Sequence, residues 1–88
     1  MTRRFLNQVV LITGSSSGIG RAAAFAFSSE GAKVILASRD TEANIKVVDK
    51  IRNENREAIF IKTDITKSEE VKALIEQARS HFGTIDIA

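Results

Sequence analysis

Four short, mainly apolar runs alternate with three stretches of helical spacing. The runs are Val9-Val10-Leu11-Ile12, Val34-Ile35-Leu36-Ala37, Ala58-Ile59-Phe60-Ile61 and Ile85-Asp86-Ile87-Ala88. Each run is too short for a helix and is bounded by turn residues, so each reads as a strand. The predicted strands are 8–13, 33–38 and 58–63, with a fourth starting at 85. Helices are expected over 18–30, 41–53 and 68–82. Apolar strands alternating with helices require a parallel sheet covered on both faces, an α/β chain. Right-handed crossovers put the helices after strands one and two on the same face.

The helix boundaries have local causes. In 18–30, Ile19, Ala22, Ala23, Ala26 and Phe27 fall at helical spacing and are expected to face the sheet. Gly31 supplies the left-handed stop. Asp40 is placed to cap 41–53, with Ala43, Val47, Val48 and Ile51 inward. Thr66 and Glu69 have capping-box spacing ahead of 68–82. That helix carries Val71, Leu74, Ile75, Ala78 and Phe82 on one face and ends at Gly83.

Composition removes several function classes. The 88 residues allow at most one small domain, and 27% charged with 43% hydrophobic residues fits a globular chain. The net charge of +2 is interspersed, with no basic stripe among aromatics, so nucleic acid is not an expected partner. No apolar run approaches the ~20 residues of a membrane span. Arg3-Arg4-Phe5-Leu6 loosely resembles the start of a signal peptide, but Asn7 and Gln8 interrupt it. Cysteine is absent, which excludes disulfides and thiolate metal sites and suits the cytoplasm. His81, the one histidine, sits in a predicted last helical turn without a ligand cluster. A surface role is expected for it, and no metal site.

In doubly wound sheets, ligands bind beyond the carboxyl ends of the strands. Three polar segments converge there. The first is Thr13-Gly14-Ser15-Ser16-Ser17-Gly18-Ile19-Gly20, a glycine turn between a strand and a helix N-terminus. Such turns cradle a dinucleotide pyrophosphate on backbone N–H groups. Gly14 permits the turn, Gly18 the close backbone approach and Gly20 the packing of helix on sheet. Ser16 and Ser17 can donate hydroxyl hydrogen bonds or merely form the turn. The second segment is Ser38-Arg39. A small neutral residue followed by arginine suits a ribose 2′-phosphate better than a free 2′-hydroxyl, so NADP(H) is favoured over NAD(H). Asp40 could take the ribose hydroxyls, although capping a helix is simpler. The third segment is Asp64-Ile65, whose carboxylate and following amide could meet adenine. Asp64 could equally cap the loop before Thr66. The fold expected is thus the first half of a Rossmann domain, β-α-β-α-β-α-β, ending within or just after strand four.

These segments resemble the short-chain dehydrogenase/reductase family. The resemblance rests on Thr13-Gly14-x-x-x-Gly18-Ile19-Gly20, Gly31-Ala32-Lys33-Val34, Asp64-Ile65-Thr66 and Gly83-Thr84-Ile85-Asp86-Ile87. It spans almost the whole chain. It implies hydride transfer between a nicotinamide cofactor and a carbonyl or alcohol substrate, in a protein that is usually a homo-oligomer. It assigns pyrophosphate binding to Gly14, Ser17, Gly18, Ile19 and Gly20, the 2′-phosphate to Arg39 with Ser38, and adenine to Asp64 and Ile65. The family's Asn-Asn-Ala-Gly segment, catalytic serine and Tyr-x-x-x-Lys pair match no position here, and the chain contains no tyrosine. The expectation is the N-terminal, cofactor-binding part, residues 1–88, of an NADP(H)-dependent oxidoreductase, inactive as an isolated polypeptide and prone to aggregation or partial unfolding. The alternative is a truncated product that binds a nucleotide without catalysis. A methyltransferase with an adenosyl cofactor shares the opening, but Ser38-Arg39 stands where it usually carries an acid.

Overall fold

The computed structural model describes residues 5–14 and 18–87. In chain order the elements are β1 (Val9–Thr13), α1 (Gly18–Ser29), β2 (Lys33–Ser38), α2 (Thr41–Asn53), β3 (Ala58–Lys62) and α3 (Ser68–Phe82). The strands form a parallel sheet in the order β1-β2-β3. Val10 pairs with Val34, which pairs with Ala58, and Thr13, Ala37 and Ile61 align across the sheet. On the free side of β1, Ile87 forms an isolated parallel bridge with Val10, at the place expected for a fourth strand. The expected α/β, doubly wound arrangement is therefore the one observed.

The strand side chains alternate between two cores. Val34 and Leu36 of β2 pack with Ala24 of α1 and with Val47, Val48 and Ile51 of α2. Ile35 and Ala37 point the other way and pack with Val9, Leu11 and with Leu74 and Ala78 of α3. Helices α1 and α2 thus share one face and α3 covers the other, as the right-handed crossover requires. Strand β2 is buried from Val34 through Ser38, which explains its unbroken apolar run.

Two expectations fail in detail. Helix α1 is rotated from the face predicted for it. Its buried residues are Gly20, Ala24 and Ser28, whereas Ala22 and Ala26 are exposed and Ile19 is 88% exposed. Ala23 and Phe27 are half-buried, and Phe27 meets Phe5 edge-on at 5.0 Å. Alanine stands at four of the helix's twelve positions, including the run Ala22-Ala23-Ala24, so apolar spacing alone does not select a face. The smallest side chains face the sheet because they let the helix backbone come close. Nor does the capping box at Thr66 and Glu69 form. The cap of α3 is Lys67, which contributes no side-chain bond. The Thr66 hydroxyl instead donates to Asp64 Oδ1 at 2.6 Å, and Glu70 reaches back to accept the Asp64 amide at 2.9 Å.

Other boundaries hold closely. Asp40 caps α2 by accepting from the Ala43 amide at 3.1 Å. Gly31 and Gly83 end α1 and α3 with φ of +94° and +84°. The Gly83 amide donates to the Arg79 carbonyl at 2.6 Å.

Candidate functional site

The carboxyl ends of the three strands are tied together by backbone bonds. The Gly14 amide donates to the Ala37 carbonyl at 3.2 Å, and the Thr63 amide donates to the Ser38 carbonyl at 2.9 Å. Because of this register, the loops after β1, β2 and β3 leave the sheet side by side. Between them lies an open cleft of about 300 Å³. Its lining includes Gly14, Ser38, Arg39, Asp64, Ile65 and Thr66. Five of the ten residues read from the sequence as cofactor contacts are thereby brought into one cavity. That volume is at the small end for ligand pockets, so it suits an adenosine moiety better than a whole dinucleotide.

Gly14 has a φ of +65°, and a Cβ built on it or on Gly18 meets no atom within 4 Å. The turn therefore needs glycine at Gly14 for its dihedral, and both positions leave open space beside the backbone. Gly18 and Ile19 begin α1, a helix with no acidic residue in its first turn, so no carboxylate of that turn would repel an anion at its N-terminus. Gly20 is buried on the sheet side, where it sets how near the helix lies. Ser16 and Ser17 lie outside the described residues.

Ser38 is at the buried end of β2, and Arg39 beyond it is exposed. Among the described residues, Arg39 forms no ion pair. One oxygen of Asp40 is committed to the cap of α2. Asp64 does cap its loop: its Oδ1 accepts both the amide of Thr66, at 3.0 Å, and its hydroxyl, at 2.6 Å. These bonds, the hydroxyl first, hold the Asp64 carboxyl below its ordinary value; slight desolvation opposes them, and the charges of Arg39 and Lys67 add to the lowering. No described residue takes the Ile65 amide hydrogen, and the Ile65 side chain is 54% exposed at the rim. Among the described residues, the rim thus offers a cation outside any ion pair, a carboxylate held below its ordinary pKa, an amide without an acceptor and an apolar surface.

One polar residue at this edge escaped the sequence reading. Asn44, in the first turn and a half of α2, is fully buried behind the Ser38–Asp40 loop. Its amide nitrogen donates to the Ser38 hydroxyl and to the Asp40 carbonyl. The available signal was an asparagine interrupting the apolar stripe of α2 four residues after the cap. His81 is exposed, with its ring edge-on to Phe82 at 4.6 Å. Among the described residues there is no cluster of His, Cys, Asp or Glu that could hold a metal, and no helix long and apolar enough to cross a membrane.

Comparison with known proteins agrees with this geometry. An uncharacterised oxidoreductase of Listeria monocytogenes is 48% identical over 80 residues, which is 91% of this chain and 32% of that protein. A hydroxysteroid dehydrogenase from Escherichia coli superposes with a TM-score of 0.91 at 34% identity, over 97% of this chain and 36% of its own. A short chain dehydrogenase/reductase from Burkholderia phymatum, solved in complex with NAD, gives 0.90 at 37% identity, over 94% of this chain and 30% of its own. The chain spans about a third of the length of the curated relatives it matches. The family model described as short chain dehydrogenase matches residues 8–88, and the chain belongs to that family.

Proposed function

We propose that the chain is the cofactor-binding part of a single dinucleotide-binding domain in an NADP(H)-dependent oxidoreductase. When bound, the nicotinamide would exchange hydride with a carbonyl or alcohol substrate. The carrying observation is the cleft itself, which joins Gly14, Arg39 and Asp64, with Arg39 outside any described ion pair.

Each group has a distinct part. The α1 N-terminus and the turn with Gly14, Ser16, Ser17, Gly18 and Ile19 hold the pyrophosphate, while Gly20 keeps the helix close to the sheet. Arg39 and the Ser38 hydroxyl take the 2′-phosphate through charge-assisted hydrogen bonds. Asp64 and the Ile65 amide meet the adenine edge, and the Ile65 side chain covers its face. The NAD complex of the Burkholderia relative supports the ligand class. Arg39 beside a neutral Ser38 supports the phosphorylated form. No residue of this chain is assigned a step in the chemistry on the substrate. The lack of cysteine supports a cytoplasmic site, and family resemblance a homo-oligomer.

Calorimetric titration of the full chain with NADPH and NADH tests this reading. NADPH should bind at least tenfold more tightly, the effect of about one or two charge-assisted bonds. Equal affinities would overturn the choice of cofactor, and Arg39→Asp should reverse it.

A further inference from the structure

Asn44 is a costly residue to bury unless its polar atoms are satisfied. It lies at 0% exposure beneath the loop that carries Arg39. The carbonyl oxygen of Asp40 can only accept, so the Asn44 atom 2.5 Å from it is the amide nitrogen, and the side-chain orientation is fixed. The second hydrogen of that nitrogen goes to the Ser38 hydroxyl oxygen. The Asp40 backbone amide donates to the same oxygen at 3.3 Å.

A hydroxyl has two acceptor sites and a single donor. In Ser38 both acceptor sites are filled from the protein side, by Asn44 and by the Asp40 amide. Only the O–H bond remains, and no described residue accepts it. Ser38 also lines the cleft. Its hydroxyl is therefore able to donate there and unable to accept.

We propose that Asn44 is a positioning residue for cofactor selectivity. It makes the Ser38 hydroxyl an obligate donor toward the cleft, matched to a ligand group that only accepts, a phosphate on the adenosine 2′ position. The proposal rests on the reading of the cleft as a 2′-phosphoadenosine site. Without the Asn44 side chain, the Asp40 carbonyl keeps only the Asn44 backbone amide, at 3.4 Å, and the Ser38 hydroxyl, freed of its inner donor, can turn away from the cleft. The cleft then loses its donor while Arg39 remains.

The test compares binding of adenosine 2′,5′-bisphosphate and adenosine 5′-monophosphate to the full chain, by calorimetry. The readout is the ratio of the two affinities, which a general loss of fold would not shift selectively. In Asn44→Leu the preference for the bisphosphate should fall about tenfold, the effect of one charge-assisted bond, with the monophosphate affinity kept. In a Ser38→Ala background, Asn44→Leu should change the ratio no further. A wild-type chain with no preference overturns the 2′-phosphate reading together with this proposal. A wild-type preference that survives Asn44→Leu, or an effect of Asn44→Leu that persists without the Ser38 hydroxyl, overturns the proposal alone. Should Asn44→Leu not fold, Ser38→Ala decides by itself: an unchanged ratio overturns the proposal, because the effect assigned to Asn44 on the cleft passes through that hydroxyl.

Discussion

The carboxylate of Asp86 accepts the amide hydrogen of Val9 at 2.8 Å, across 77 positions of sequence. The Asp86 and Ile87 amides return the contact by donating to the Val9 carbonyl at 2.9 and 3.1 Å, and the Leu11 amide donates to Ile87 at 2.8 Å. A side chain thus supplies the first rung between β1 and the segment that bridges to it at Ile87. Val9 is only 2% exposed, so its amide has no ready substitute in water. Asp86→Ala should lower stability by about 1–3 kcal/mol, the cost of leaving a buried donor unpaired, and Asp86→Asn by less because its amide oxygen still accepts. Urea unfolding midpoints of the two variants check the order.

Gly31 and Gly83 both end helices in the left-handed region, but they differ in surroundings. A Cβ on Gly31 would lie 3.0 Å from the Leu6 Cα, whereas one on Gly83 would meet nothing within 4 Å. Gly83→Ala should therefore cost only the dihedral penalty, about 1–2 kcal/mol. Gly31→Ala should cost more, since the backbone at Leu6 must also move. Thermal midpoints that rank the two variants the other way would contradict this packing.

The fold was largely legible in the sequence because its signals are local. Asp40, Gly31 and Gly83 mark helix ends through their own conformational preferences, and β2 betrays its burial by an unbroken apolar run. What escaped depends on which of several neighbours a group takes once the chain is packed. The rotation of α1 is decided by how closely its small residues pack on Val34 and Leu36, and a run of alanines carries no such information. The Thr66–Glu69 pattern failed because the Thr66 hydroxyl found the nearer carboxylate of Asp64. Within the site, Gly14, Arg39 and Asp64 could be gathered by topology alone. Asn44 could not, because its partners Ser38 and Asp40 are polar atoms whose need for a donor appears only when the loop is folded over it.

Acid should loosen the loop after β3. The Asp64 carboxyl is held below its ordinary value by the Thr66 hydroxyl and amide. A carboxyl with a depressed folded pKa stabilises above its unfolded value, about 3.9, and that contribution is lost as pH falls through the lower folded value. Removing the hydroxyl in Thr66→Val should move the Asp64 titration upward, toward the ordinary value. Side-chain carboxyl NMR titrations of the two proteins check the direction, and an unchanged midpoint would contradict the bonding described.

The most direct measurement is a crystal structure of the full chain with NADP(H) bound. The adenosine should lie in the cleft between Gly14, Arg39 and Asp64. The 2′-phosphate should sit within hydrogen-bond distance of the Arg39 guanidinium and the Ser38 hydroxyl, and the pyrophosphate at the start of α1. An adenosine bound elsewhere, or a 2′-phosphate turned into solvent away from Arg39, would contradict the assignment of this sheet edge as the NADP(H) site.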